Sequence, residues 1–165
     1  MTPARIVSGG QSGVDRAALD FAIRHGIAYG GWCPRGGWAE DREEPPGLLA
    51  DYPLLREAPA VDPAVRTELN VRDSNATLVL VRAGSVSAGT ELTLRLAEES
   101  GKPSLLIDPA GAGADRSVRE FICGLPDGVR LNVAGPRESE APGIYREARA
   151  LLEAALCPPE AADQR

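Results

Sequence analysis

The chain has 165 residues, a formal net charge of −6 and an isoelectric point near 4.9. This acidic balance argues against a nucleic-acid-binding surface, and no apolar run approaches the roughly 20 residues that a membrane-spanning helix needs. Three cysteines without disulfide or zinc spacing, and an N-terminus that leads directly into a strand-like segment, predict a cytoplasmic protein without a signal peptide.

Strand-like and helix-like segments alternate along the chain. Residues 4–8 and 28–32 predict the first two strands, and residues 14–25 carry an apolar stripe at helical spacing between them. Residues 76–81, Ala-Thr-Leu-Val-Leu-Val, are typical of a strand buried on both faces of a parallel sheet. Further strands are expected at 104–107 and 129–134, and further helices at 63–73, 89–101, 118–123 and 144–156.

This alternation predicts an α/β fold, a three-layer sandwich in which helices cover both faces of a mostly parallel sheet. We expect one ligand-binding domain over residues 1–157 and a flexible tail over 158–165. Residues 6–8, 77–81, 104–107 and 130–133 are expected to be buried strands. Ligands bind at the carboxyl ends of the strands in such sheets, so the site is expected at the strand-to-helix turns.

Three of these turns are rich in glycine and small polar residues. They are Gly9-Gly10-Gln11-Ser12-Gly13, the segment 84–90 that ends in Ser87-Ala88-Gly89-Thr90, and Gly135-Pro136-Arg137-Glu138-Ser139. A glycine-lined turn before a helix leaves unpaired N–H groups at the positive end of the helix dipole, where phosphate binds. We therefore expect the three turns to share one edge of the sheet, and the missing side chain of Gly13 to admit an anion.

The turns lack the standard nucleotide motifs. None of them has a Walker A pattern or a G-x-G-x-x-G fingerprint. Tight strand-to-helix connections use glycine for conformational reasons as well, so a purely structural role stays open. The chain has one histidine, His25, before a helix-ending glycine, and this position favours a structural role over a metal site or a Ser-His-Asp triad.

Residues 33–59 predict a long, proline-rich loop with a short extended piece at 54–57, and a loop of this length in a compact domain is usually functional. Trp32 and Trp38 flank the start of this loop, with Arg35 between them. Their rings offer stacking faces to a planar heterocycle, or they cap the core. Cys33 fits a packed thiol better than a nucleophile or a soft-metal ligand, because no histidine lies nearby in the sequence.

Carboxylates also cluster in this loop. Glu40 and Asp41 are candidates for acid–base chemistry or for holding a divalent ion, and a solvated loop surface is the alternative. Residues 66–74 predict an uncharged polar helix face, because Thr67, Asn70 and Ser74 fall at helical spacing. Such a face suits a polar ligand, and a wet surface has the same pattern.

Together these segments resemble the family of molybdenum cofactor carriers, also described as circularly permuted YpsA-type members of the SLOG superfamily. The order and spacing of the matching segments extend from residue 5 to about residue 156, nearly the whole chain. The resemblance is carried by residues 8–17, 31–36, 39–41, 66–71, 89–93 and 131–139.

The resemblance implies a Rossmann-like fold that binds molybdenum cofactor, a pyranopterin with a terminal phosphate, or a nucleotide. It also implies a homo-oligomer, and a molybdoenzyme or a cofactor-synthesis enzyme as partner, and it assigns no metal ligands. The candidate binding residues are Gly9, Gly10, Gln11, Ser12, Gly13, Arg16, Arg35, Glu40, Asp41, Ser87, Ala88, Gly89, Thr90, Gly135, Arg137 and Ser139.

A distant resemblance to the Lonely Guy phosphoribohydrolases raises an enzyme as the alternative. Their Gly-Gly-x-Gly-Thr-x-x-Glu motif supplies a catalytic glutamate, and aligning Gly89-Thr90 with it puts Thr93 at that position. An N-glycosidase would then need Glu40 or Asp41, while a nucleotide-sensing domain would need no reaction. The chain also departs from the carrier pattern, which prefers Asp, Gly, Arg and Gly at Asn75, Ala88, Gly37 and Arg42.

Overall fold

The structure, a computed structural model, describes residues 1–157, and the predicted tail over 158–165 lies outside the described residues. The main sheet contains β1 (Arg5–Val7), β2 (Ala28–Gly30), β5 (Ala76–Leu80), β6 (Ser104–Ile107) and β7 (Arg130–Ala134). Its order is β2-β1-β7-β5-β6, and every neighbouring pair is parallel. Two short strands, β3 (Trp32–Cys33) and β4 (Arg56–Glu57), form a separate parallel pair.

Helices cover both faces of the main sheet. One face carries α1 (Val14–Arg24), α5 (Ala114–Cys123) and α6 (Ile144–Leu156), and the other carries α3 (Pro63–Arg72) and α4 (Ala88–Glu99). The short α2 (Leu48–Asp51) and a 3₁₀ turn at Arg35–Gly37 lie within the long loop. The predicted α/β sandwich is confirmed. Within residues 1–157, no helix combines the length and the apolar character needed to cross a membrane.

Apolar packing holds the sheet against α1, α5 and α6. Leu78 and Leu131 are fully buried in the central strands and belong to the same cluster as Phe21, Ile122 and Leu152 from the three helices. Burial of each such side chain contributes roughly 1.5–3 kcal/mol to stability. This core fixes the carboxyl ends of the strands, where the three turns begin.

A second apolar cluster anchors the long loop to α1. Leu19 of α1 packs with Leu48, Tyr52 and Leu55, which come from the second half of the loop, and with Cys33 at its start. The Tyr52 hydroxyl also donates a hydrogen bond of 2.5 Å to Asp20 Oδ1. The loop is therefore packed onto the body of the protein, and its residues take defined positions beside the turns.

Three sequence-based expectations need correction. The strand expected at 28–32 divides at Gly31, where φ is 130° and a Cβ atom would overlap the backbone of Ser8. The strand at 104–107 is an edge strand, with Leu106 43% exposed, so the expected burial is wrong. Helix α5 begins at Ala114, before the predicted 118, because its first turn is mostly polar and lacks the apolar spacing that marks the rest.

Candidate functional site

The three glycine-bearing turns follow β1, β5 and β7, which are neighbours in the sheet and parallel. Their carboxyl ends therefore open on the same edge, and this expectation is confirmed. A crevice of about 550 Å³ lies between the turns and the first residues of α3. Its walls include Gln11 and Asp15, Arg66 and Thr67, residues 87–90, and Gly135 and Arg137.

A buried ion pair forms part of the crevice lining. Asp15 is 2% exposed, and its Oδ2 lies 2.9 Å from Nη1 of Arg66. Burial raises the pKa of Asp15, while the Arg66 charge and the backbone amides of Gln11 and Gly135 lower it. A Cβ atom at Gly9 would overlap Nη1 and lie 2.6 Å from Cζ of Arg66. Gly9 is thus the residue that lets this arginine cross the turn and reach Asp15.

Replacing Arg66 with methionine is expected to cost about 3–5 kcal/mol at pH 7, because it leaves the Asp15 carboxylate buried without its partner. Burial raises the folded-state pKa of Asp15, and loss of the Arg66 charge, which lowers it in the wild type, raises it further in the variant, so the destabilisation is full above the variant's folded-state pKa. It decreases as the pH falls through that pKa. Urea denaturation between pH 4 and pH 8 measures both effects.

The matched control for this substitution is Arg95→Met on the exposed face of α4, where the arginine side chain is 66% exposed. It removes the same charge and is expected to change the unfolding free energy by less than about 0.5 kcal/mol. An Arg66→Met variant as stable as the Arg95→Met variant at pH 7 would contradict a stabilising role for the buried pair.

The start of α4 is the turn that keeps an open helix end. The Ser87 hydroxyl accepts a hydrogen bond of 3.3 Å from the backbone N–H of Thr90, which caps the helix. A Cβ atom at Gly89 would meet no heavy atom within 4 Å, and both Ala88 and Gly89 are exposed. The first N–H groups of a helix have no partner within it, and both Ala88 and Gly89 line the crevice.

Residues 136–138 of the third turn pack against Gly13 of the first turn. A Cβ atom at Gly13 would overlap the carbonyl oxygen of Pro136 and lie 2.8 Å from the amide nitrogen of Glu138. The N–H of Val14, at the start of α1, donates to the same carbonyl at 3.3 Å. The expectation that Gly13 admits an anion is therefore wrong, because the backbone of residues 136–138 occupies that space.

Glu40 joins the long loop to both of these turns. Its carboxylate accepts hydrogen bonds from the hydroxyls of Ser12 and Ser139, and from the Ser139 N–H at 3.2 Å. The side-chain oxygen of Gln11 accepts from the N–H groups of Ser12 and Glu40, at 3.0 and 2.9 Å. Burial raises the pKa of Glu40, but these hydroxyl donors hold it below its ordinary value. The structure brings four predicted residues together here as a junction, and of the four only Gln11 also lines the crevice.

Asp41 makes a second junction between the loop and α1. Both of its carboxylate oxygens lie 2.9 Å from the guanidinium nitrogens of Arg16, and this bidentate pairing holds the pKa of Asp41 below its usual range. The Nε of Arg16 donates to the Gly10 carbonyl at 3.0 Å, and its guanidinium lies 5.7 Å from the Tyr52 ring centroid. Arg16 is 7% exposed and does not line the crevice.

An aromatic lobe adjoins the crevice. This cavity of about 450 Å³ is lined by Arg35, Trp38 and Val61, and it shares Pro63 and Arg137 with the crevice. The Arg137 guanidinium lies 5.8 Å from the centroid of the Trp38 ring. Arg35 and a tryptophan thus face this lobe rather than the crevice between the turns.

The other aromatic and sulfur groups lie elsewhere. Cys33 is fully buried, its thiol donates to the Arg56 carbonyl, and burial raises its pKa to about 11, so it stays protonated. The packed-thiol interpretation is confirmed. Asn70 hydrogen-bonds both backbone groups of Trp32, and His25 pairs with Glu153 at 2.6 Å. Within residues 1–157, no group of three or more His, Cys, Asp or Glu side chains is placed to hold a metal ion.

The buried Asp15–Arg66 pair is a feature of the site that the sequence did not predict. The two residues are 51 positions apart, so no local pattern joins them. A partial signal was present, since Asp15 directly follows Val14 of the apolar stripe at the start of α1, and a carboxylate buried there needs a cationic partner.

Comparisons with known proteins identify the family of the chain and a solved relative. The model described as the circularly permutated YpsA SLOG family matches residues 6–156. A crystal structure at 1.45 Å shows a "Putative molybdenum carrier protein" from Syntrophus aciditrophicus. Its sequence is 39% identical to that of this chain, and the two structures superpose with a TM-score of 0.80. The match covers 94% of this chain and 96% of that one. A search of the curated proteins finds no match.

Proposed function

Since the chain belongs to the circularly permutated YpsA SLOG family, we propose that it is a carrier that binds a phosphate-bearing heterocycle, with molybdenum cofactor as the first candidate. The solved relative described as a molybdenum carrier supports this choice. The observation that carries the proposal is the crevice, which combines an open helix start with an adjoining aromatic lobe.

The phosphate binds at the start of α4 in this proposal. The backbone amides of the exposed residues Ala88 and Gly89 are the donors that a phosphate needs at a positive helix end. The hydroxyls of Ser87 and Thr90 are hydrogen-bonded to each other, so one hydroxyl proton of this pair is left for the phosphate. Gly89 leaves the approach open, because no protein atom lies where its side chain would be. Ala88, at the position where the family pattern prefers glycine, is exposed and does not close this approach.

The heterocycle extends towards the aromatic lobe. Trp38 supplies a ring for stacking, and Arg137 stands between the lobe and the crevice with its guanidinium near that ring. Gln11 and Thr67 line the crevice and supply polar groups for a ring edge. Each cavity alone is within the range of about 300–1,000 Å³ that is usual for small-molecule sites.

Molybdenum is cargo in this proposal. The chain holds the cofactor through its pterin and its phosphate, because the part of the chain described by the structure offers no cluster of metal-ligating side chains and Cys33 is buried. A carrier must release its ligand, so we include a molybdoenzyme or a cofactor-synthesis enzyme as the recipient, and a homo-oligomer as the working form.

The N-glycosidase alternative loses its proposed catalytic residues. Glu40 and Asp41 are engaged with Ser12, Ser139 and Arg16 in the two junctions. Neither carboxylate lines the crevice. Their lowered pKa values also suit hydrogen-bond acceptors better than a general acid, which needs a raised pKa. We therefore do not extend the proposal to this reaction.

Native mass spectrometry tests the proposed ligand. The protein is purified from a host that makes molybdenum cofactor and from a matched strain that cannot make the pterin. We expect an additional mass that corresponds to a pterin phosphate in the first preparation and its absence from the second. A nucleotide mass in both preparations would overturn the molybdenum cofactor assignment. The proposed phosphate site would still stand, because a nucleotide also carries a phosphate.

A further inference from the structure

A second concave surface lies apart from the crevice and the aromatic lobe. This arginine groove, of about 580 Å³, is lined by Arg5, Arg56, Arg72 and Arg130 together with Trp32 and Asp73. None of its lining residues also lines the crevice or the aromatic lobe. Four guanidinium groups and one carboxylate give it a formal charge of +3, in a chain whose net charge is −6.

Asp73 organises the groove without neutralising it. Its carboxylate accepts two hydrogen bonds from Arg72, at 2.7 and 3.0 Å, and one of 2.8 Å from the Trp32 indole. Its backbone carbonyl accepts from Nε of Arg130 at 2.9 Å. The single carboxylate is therefore already occupied, and it fixes the positions of two arginines and of the indole ring.

The remaining charge has no partner in the described chain. Within residues 1–157, Arg5, Arg56 and Arg130 form no ion pair. The Arg56 guanidinium lies 5.6 Å from the Trp32 ring centroid, which orients it. Lys102 adds a further cation beside the groove, since its Nζ donates to the Arg72 carbonyl at 2.7 Å. Like charges around one concavity repel each other unless an anion lies among them.

We propose that the arginine groove is a second ligand site, for a small polyanion with at least two phosphate or carboxylate groups. Planar guanidinium groups bind such oxyanions through paired hydrogen bonds. Several separated cations match an anion whose charge is spread along its length, in contrast to the single helix end at α4. The volume is within the small-molecule range, and the acidic protein as a whole disfavours a nucleic acid.

Calorimetric titration with inorganic tripolyphosphate tests this site, with orthophosphate as the comparison and salt near 50 mM. The test variant is Arg5→Gln with Arg130→Gln, and Arg56→Gln is a second variant that probes the same groove. We expect tripolyphosphate to bind the wild type at least about tenfold more tightly than orthophosphate, and the double variant to lose at least about tenfold in affinity. Higher salt weakens the binding.

Two controls separate the groove from other anion sites. Arg95→Gln with Arg116→Gln removes the same charge elsewhere on the surface and is expected to change the affinity less than about twofold. Gly89→Leu removes the phosphate site proposed at the start of α4, and the tripolyphosphate binding that remains in this variant is expected to have the affinity of the arginine groove in the wild type. The proposal is overturned if the wild type does not bind the probe, if both arginine double variants weaken it equally, or if Gly89→Leu abolishes binding that the groove variant retains.

Discussion

Gly13→Val is expected to destabilise the ligand-free protein by at least about 3 kcal/mol. Gly13 has φ 80° and ψ −129°, a conformation that a β-branched residue adopts only with strain. A Cβ atom there would also overlap the carbonyl of Pro136 and approach the backbone of Arg137 and Glu138 to within 3 Å. Backbone atoms cannot turn aside as a side chain can, so the two turns must separate. Urea denaturation without ligand measures the loss.

Gly26→Val is the matched control for Gly13→Val. Gly26 also has a positive φ, of 64°, but nothing lies within 4 Å of its missing side chain. The unfolding free energy that Gly26→Val loses therefore comes from the conformational strain alone and is on the order of 1–2 kcal/mol. If the two variants lose equal stability, residues 136–138 do not pack against Gly13, and the first turn becomes available again as an anion site.

Gly89→Leu is expected to abolish ligand-dependent stabilisation while leaving the ligand-free protein intact. The leucine side chain enters the open space before α4 and blocks the approach to the Ala88 and Gly89 amides. A ligand at one hundred times its dissociation constant stabilises the wild type by about 2.7 kcal/mol, and the variant is expected to lose most of this. The ligand-free variant keeps its stability, because leucine favours a helix more than glycine does. Thermal unfolding with and without the bound ligand measures the difference.

Two further variants are comparisons for the ligand-dependent stabilisation of Gly89→Leu. Gly89→Ala adds a single methyl group and is expected to retain part of the ligand-dependent shift. Ser117→Leu places a leucine near the start of α5, away from the crevice, and is expected to retain all of it. A full shift in Gly89→Leu would show that the phosphate does not bind at this helix end.

The fold and the edge that carries the site could be predicted from the sequence. The apolar run at 76–81 and the alternation of strands and helices require a parallel sheet, and a parallel sheet brings the carboxyl ends of β1, β5 and β7 to one edge. Which turn is open could not be predicted. In the sequence, Gly13 and Gly89 are both glycines near the start of a helix. In the structure, the backbone of Pro136, which is distant in sequence, occupies the space beside Gly13, and no atom occupies the space beside Gly89.

The residues of the Glu40 junction also could not be assigned from the sequence. The sequence predicts binding roles for Ser12, Glu40 and Ser139, because hydroxyls and carboxylates near glycine turns suit a ligand. Their hydrogen bonds join positions 28 and 99 apart in sequence, and the groups satisfy one another. Sequence spacing gives the chemical type of a side chain, and the three-dimensional pairing decides whether it holds the protein together or faces a cavity.

Amide chemical-shift mapping by ¹H–¹⁵N spectroscopy tests the central claim most directly. The uniformly labelled protein is titrated with the phosphate-bearing ligand that mass spectrometry identifies. The largest shifts are expected at the backbone amides of Ala88, Gly89 and Thr90, with smaller shifts at Arg137 and at the Trp38 indole N–H. Largest shifts at residues 10–13, with residues 88–90 unchanged, would contradict a phosphate site at the start of α4.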